Sequence, residues 1–170
     1  MNRSALIFFV VLAAVAAGVV IVKAKPDFSG AWTMDRARSF GMPGNMQQTM
    51  VVTHKDDRIE LETKLIQPNS ERVIKDSYIL DGKEHEFTPP APPNAPPDTP
   101  PAKGKRTSNW LPNGNGIVVN ESTTSETPKG PVTSQLTRKW TLTTDGELII
   151  DMYIDNPNGS FETKRIFKRQ

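Results

Sequence analysis

From residue 47 onward the chain alternates apolar and polar side chains in short runs. The clearest is Arg58-Ile59-Glu60-Leu61-Glu62-Thr63-Lys64-Leu65, the pattern of a strand with one face buried. Similar runs occupy 47–54, 72–80, 106–111, 117–124, 132–143, 147–155 and 160–168, and a first strand falls within 27–35. Turn residues separate them. Asp81-Gly82, Asp145-Gly146 and Asn156-Pro157-Asn158-Gly159 are hairpin signals, because these residues tolerate positive φ. Beyond residue 26 helical periodicity is almost absent. Strands joined in order by hairpins are antiparallel neighbours, and a sheet of this size with one apolar face curls and closes, which removes its edges. The predicted fold class is all-β, an antiparallel up-and-down β-barrel of about eight or nine strands. A two-sheet sandwich is the alternative.

Two segments break the rhythm. Residues 1–4 are a short basic start, and 5–22 run apolar without a charge or a proline until Lys23. A basic start before an apolar run reads as an export signal, here with cleavage after Ala24. The run also just reaches the length that spans a bilayer as a helix. Residues 1–24 are therefore either a signal peptide or an uncleaved N-terminal hydrophobic helix that anchors the chain through 5–22. Residues 26–170 form the barrel domain. The second segment is a proline-rich loop, 88–104, with eight prolines between positions 89 and 101. Proline cannot donate to a ladder, so this is an extended, solvated loop. It is either a stiff insertion or an arm for a partner.

Charge and composition narrow the functions. Losing 1–24 removes Arg3 and Lys23 and no acid, so Lys+Arg falls from 21 to 19 against 19 Asp+Glu. The domain is formally neutral, with no electrostatic footprint for nucleic acid. There is no cysteine, which excludes a lipid-modified N-terminal cysteine and leaves the domain to be held by its core alone. The expected location is the periplasm or cell envelope, with possible attachment to the inner membrane.

Alternation assigns faces. On one face 132–143 places Val132, Ser134, Leu136, Arg138, Trp140 and Leu142, an arginine among apolar residues. The last strand groups Phe161, Thr163, Arg165 and Phe167, and 117–124 groups Ile117, Val119 and Glu121. A buried arginine is expensive unless paired. Arg138 or Arg165 either closes a barrel end, pairs with Glu121 or stacks on a tryptophan, or it anchors the anionic head of an amphipathic ligand. On the second reading the candidate ligand-binding residues are Arg138, Glu121, Trp140, Trp110 and Phe161. Two histidines, His54 and His85, are too few for a structural zinc site, so no metal or other cofactor is expected. No nucleophile-elbow motif is present, and no catalytic residue is assigned.

Phe28-x-Gly30-x-Trp32 resembles the opening of the calycins, the lipocalins and fatty-acid-binding proteins. The wider pattern, 28–39, 81–84, 138–148 and 166–169, is similar to exported bacterial lipocalin-like proteins. The resemblance covers about 27–169. It implies a divergent lipocalin-like barrel whose end is closed by Trp32 against a cation of the last strand. Arg165 is the expected partner, with Lys164, Lys168 and Arg169 as alternates.

The function expected is an exported or membrane-anchored binding protein for a small apolar or amphipathic ligand, not an enzyme. One alternative is an envelope interaction module using the outer face and the proline-rich loop. The other is a barrel isomerase or hydrolase with Glu121 and Arg138 as its interior pair.

Overall fold

The computed structural model describes residues 24–91, 100–127 and 130–170. Residues 1–23 lie outside this range, so the signal, anchor and N-terminal helix expectations fall outside the described residues, as does 92–99 of the proline-rich loop. Among the described residues no helix is long and apolar enough to cross a membrane.

Among the described residues ten strands form: β1 (Gly30–Met34), β2 (Gln47–Lys55), β3 (Arg58–Gln67), β4 (Ser70–Ile79), β5 (Glu84–Phe87), β6 (Lys103–Trp110), β7 (Gly116–Thr127), β8 (Gly130–Leu142), β9 (Leu148–Asn156) and β10 (Gly159–Arg169). All belong to one antiparallel sheet in the order β4-β3-β2-β1-β10-β9-β8-β7-β6-β5. A single sheet sets aside the two-sheet alternative. First and last strands pair, with Trp32 opposite Arg169, so the meander curls round on itself. The count exceeds the expected eight or nine by β5. Its Glu84-His85-Glu86-Phe87 has one apolar residue, too weak an alternation to read as a strand.

The Asp81-Gly82 turn departs from expectation in a way that matters. It does not close a hairpin: β4 and β5 are the two edges of the sheet, and β5 pairs only with β6. The Gly82 amide donates to Ser108 O at 3.1 Å. A Cβ on Gly82 would meet Asn109 Oδ1 at 2.5 Å. The turn therefore docks on β6 and carries the chain away from β4. The curled sheet is left with a seam between β4 and the β5–β6 pair.

One end of the interior is solid. Phe28, Trp32, Ile59, Ile117, Trp140, Leu148 and Phe167 are fully buried there. The Phe28 and Tyr78 rings each meet Trp140 edge-on, at 5.9 and 5.8 Å. Burial fades along β10 toward the other end: Phe167 is 0% exposed, Thr163 4% and Phe161 48%. The core thus fills one end of the interior and leaves the other end more open.

Candidate functional site

Between the solid end and the open end lies a layer of charged side chains facing inward. Alternation in β8 puts Arg138 one step above Trp140, and in β7 it puts Glu121 above Val119. Arg106 of β6 stands opposite Glu121, and Asp76 of β4 lies one inward step from Tyr78. Glu121 Oε2 is 2.5 Å from Arg138 Nη1, and Glu121 Oε1 accepts from Arg106 Nε at 2.7 Å. Arg106 also reaches across the seam. Its Nη1 and Nη2 donate to the two Asp76 carboxylate oxygens at 2.8 and 2.9 Å, and Nη1 donates to Ser77 O at 2.7 Å. Its guanidinium lies 3.9 Å from the Phe87 ring and 4.8 Å from Tyr78.

The charges alternate along this chain, Asp76, Arg106, Glu121, Arg138, so each buried ion has a counter-ion. Burial opposes the charge on Arg138, yet the Glu121 carboxylate outweighs it and holds its pKa above the ordinary guanidinium value. Burial likewise opposes Arg106, and Asp76 and Glu121 outweigh it. Burial pushes the Tyr78 hydroxyl up to about 12, which keeps it protonated.

Arg165 is different. It projects from β10 into the same layer, and its polar partner is neutral: Nη1 donates to Gln48 Oε1 at 2.6 Å. Its Nε is buried with no hydrogen-bond partner. No ion pair joins it to an acid among the described residues. Burial, and then the nearby Arg138, depress its pKa to about 10. Arg165 and Arg138 both line a cavity of about 110 Å³ with Gln48, Asp76, Trp140 and Ile150. The Trp140 Nε1–H is also buried without a partner. Donors without acceptors around one cavity are groups that an anion would satisfy.

The sequence-derived candidates divide accordingly. Arg138 and Trp140 line the cavity. Glu121 is close by, but both guanidiniums occupy its carboxylate, so it is a counter-ion and not the free acid or base an isomerase or hydrolase would use. Trp110 lies at the solid end, stacked 6.3 Å from Phe28, and its Nε1 donates to Asp57 at 3.3 Å. Phe161 stands on the exposed rim. The expected closure of Trp32 by Arg165 is corrected. Arg169 takes that place, 4.6 Å over the indole, because β1 and β10 pair in a register that puts Arg165 farther up the strand. Arg106, Asp76 and Gln48 were missed. Asp76 carried a readable signal, an acid alternating with Ile74, Tyr78 and Leu80. Arg106 alternates with Gly104, Ser108 and Trp110, too polar a face to read as interior. Among the described residues no group of three or more His, Cys, Asp or Glu is placed to hold a metal.

No family model matches this sequence, and no curated protein does. Among solved structures the chain is similar to the zebrafish ileal bile acid-binding protein complexed with cholic acid, with 15% identity and a TM-score of 0.49, over 84% of this chain and 98% of that one. It is also similar to secretory abundant heat soluble protein 4 from Ramazzottius varieornatus, with 13% identity and a TM-score of 0.46, over 84% of this chain and 94% of that one.

Proposed function

We propose that this protein binds a small amphipathic ligand inside the curled sheet, with the anionic head on Arg165 and Arg138 and the apolar part along Leu61, Leu65 and Ile74. One observation carries the reading: Arg165 is a largely buried guanidinium with no acidic partner among the described residues, and it lines a cavity. An uncompensated buried charge is costly, and a bound anion is the counter-ion it lacks. The volume of about 110 Å³ matches three or four waters at about 30 Å³ each. It suits a head group, while the apolar remainder extends along the β3–β4 wall toward the open end. The paired state of Glu121 favours binding over acid–base chemistry.

Calorimetric titration with dodecanoate and with dodecyltrimethylammonium tests this. Dodecanoate is expected to bind and the cation not to, and Arg165→Met is expected to weaken dodecanoate about tenfold or more, since one lost charge-assisted hydrogen bond exceeds 1.4 kcal/mol. Equal binding of both amphiphiles, or a variant as tight as the parent, overturns the reading.

We also propose that the protein works outside the cytoplasm, exported or held at the membrane through 5–22. The basic start and the apolar run support this. A phosphatase fused after residue 170 reports it by activity only outside the cytoplasm.

A further inference from the structure

The chain enters the sheet at its solid end and is clasped there. Phe28 is fully buried against Trp110 and Trp140, and its amide donates to His54 Nδ1 at 3.4 Å. Ser29 ties to the same end of β2 twice. Its Oγ donates to His54 O at 3.2 Å and accepts from the His54 amide at 3.0 Å. Lys25 Nζ lies 4.5 Å over the Trp110 ring and 3.6 Å from Asp57 Oδ1. Asp57 is in the β2–β3 turn, and Trp110 ends β6. All of these partners belong to the end that the core fills. The opposite end carries the β9–β10 turn and Phe161, which is 48% exposed.

This placement bears on how the domain stands at a membrane. The apolar run proposed as an anchor ends at Val22, three residues before the clasped Lys25, and three residues reach at most about 11 Å when fully extended. The open rim is much farther off. From Arg169 to Phe161 β10 runs eight residues, about 27 Å along the strand and roughly 20 Å along the axis at a barrel-like tilt of about 40°. So short a tether cannot bring that rim to the bilayer unless the wall of the sheet lies flat on it. The wall beside the clasp gives a bilayer little to hold. Its charges are paired off, Arg58 with Glu60, Lys75 with Glu62 and Lys105 with Glu84, which is unlike the basic clusters that draw a surface to anionic lipid.

We infer that the chain, held through 5–22, stands with its plugged end against the membrane and presents its open end, with the cavity behind it, to the aqueous compartment; this rests on the membrane-anchored form of the reading above. The plugged end is then the membrane-facing surface. Phe28, Ser29 and Lys25, clasped by His54, Trp110 and Asp57, fix the angle at which the domain stands.

The test places one reporter at each end. The chain has no cysteine, so Asn113→Cys in the β6–β7 turn and Asn158→Cys in the β9–β10 turn each give a single site for a nitrobenzoxadiazole label. Both residues are exposed; the first is at the plugged end and the second at the open end. The full chain is made by cell-free synthesis on phosphatidylcholine vesicles, where no peptidase removes 1–24. Lipids spin-labelled at the head group then quench a label that touches the bilayer surface. Quenching is expected to be about fivefold or more greater at 113 than at 158, because the two ends stand roughly 20 Å apart along the axis. A second form carries about twenty Gly/Ser residues between Ala24 and Lys25, a linker of about 25 Å. It frees the domain to turn, so the two labels are expected to quench alike. Equal quenching in the parent, or stronger quenching at 158, overturns the orientation. A difference that survives the linker shows that the domain's own surface sets the angle, and it overturns the clasp. If the chain does not float with the vesicles, the anchor reading falls and the orientation falls with it, while ligand binding by the domain still stands.

Discussion

Arg169 lies 4.6 Å over the indole of Trp32 and donates to Ser29 O at 2.5 Å, and a glycine makes the room. A Cβ on Gly30 would stand 2.8 Å from Arg169 Nη1, and Gly30 itself has φ +139°. Below the guanidinium the Trp32 Nε1–H is satisfied by Phe28 O at 3.0 Å. The first-strand Phe28-x-Gly30-x-Trp32 is thus a plug. Phe28 fills the floor, Trp32 stands on it, and Gly30 lets the last strand's cation cross.

Gly30→Ala is accordingly expected to lose about 1–3 kcal/mol of unfolding free energy, from the positive φ and the displaced Arg169. Urea denaturation measures it. In an Arg169→Ala background the steric part is gone, so the same change costs less. Equal costs in the two backgrounds would show that Arg169 does not set the requirement for glycine.

Glu121 holds the centre of the charge layer. Glu121→Gln leaves Arg138 buried without its counter-ion, for an expected loss of about 3 kcal/mol. Arg106 keeps Asp76, so the cost falls mainly on Arg138. The double variant Glu121→Gln/Arg138→Met should recover much of the loss, because it removes the orphaned charge. A urea midpoint that does not recover would place the role of Glu121 elsewhere.

The chain's short-range patterns disclosed its strands and faces, and its long-range registers stayed hidden. Period-two alternation was enough to place Arg138 and Trp140 inward together, and to group Arg165 with Phe167. It could not choose between Arg165 and Arg169 as the partner of Trp32. Both lie on the same face of β10, and the choice depends on how β10 pairs with β1, more than a hundred residues away in sequence. Asp81-Gly82 carries strong hairpin chemistry, but its docking on Ser108 and Asn109 is tertiary and overrides the local signal. Arg106 was illegible for a related reason. Its counter-ions come from β4 and β7, so nothing within β6 marks it as interior.

Acid stability should carry the signature of Asp35. Hydrogen bonds from Lys168 and then Arg38 hold its carboxyl at about 2, against an ordinary 3.8. Lys168 Nζ is 3.0 Å away and Arg38 Nε 2.9 Å, and Arg38 also pairs with Glu147. A depressed carboxylate pKa gives stability that is present above 3.8 and lost as pH falls toward 2. Urea midpoints taken from pH 5 down to pH 2 should fall less steeply in Asp35→Asn than in the parent, about in the window those two values bound. Parallel curves would show that the contacts of Asp35 do not discriminate between its charge states.

Arg165 should cost the fold stability at neutral pH. Burial and the neighbouring Arg138 bring its pKa down to about 10, so the unfolded chain holds this proton more tightly than the folded one. The penalty is therefore complete below about pH 10 and fades as pH rises from 10 toward the ordinary guanidinium range. Arg165→Met, similar in length and uncharged, is expected to raise the unfolding free energy at pH 7 by about 1–3 kcal/mol. Gains of this kind commonly come at sites that serve function. Dodecanoate supplies the missing counter-ion, so it should stabilise the parent and leave Arg165→Met nearly unmoved, since a ligand shifts stability only through the native state that binds it. The two effects have opposite sign and one cause. A variant less stable than the parent would mean that Arg165 already has its counter-charge, and a residue so satisfied has no need of an anion.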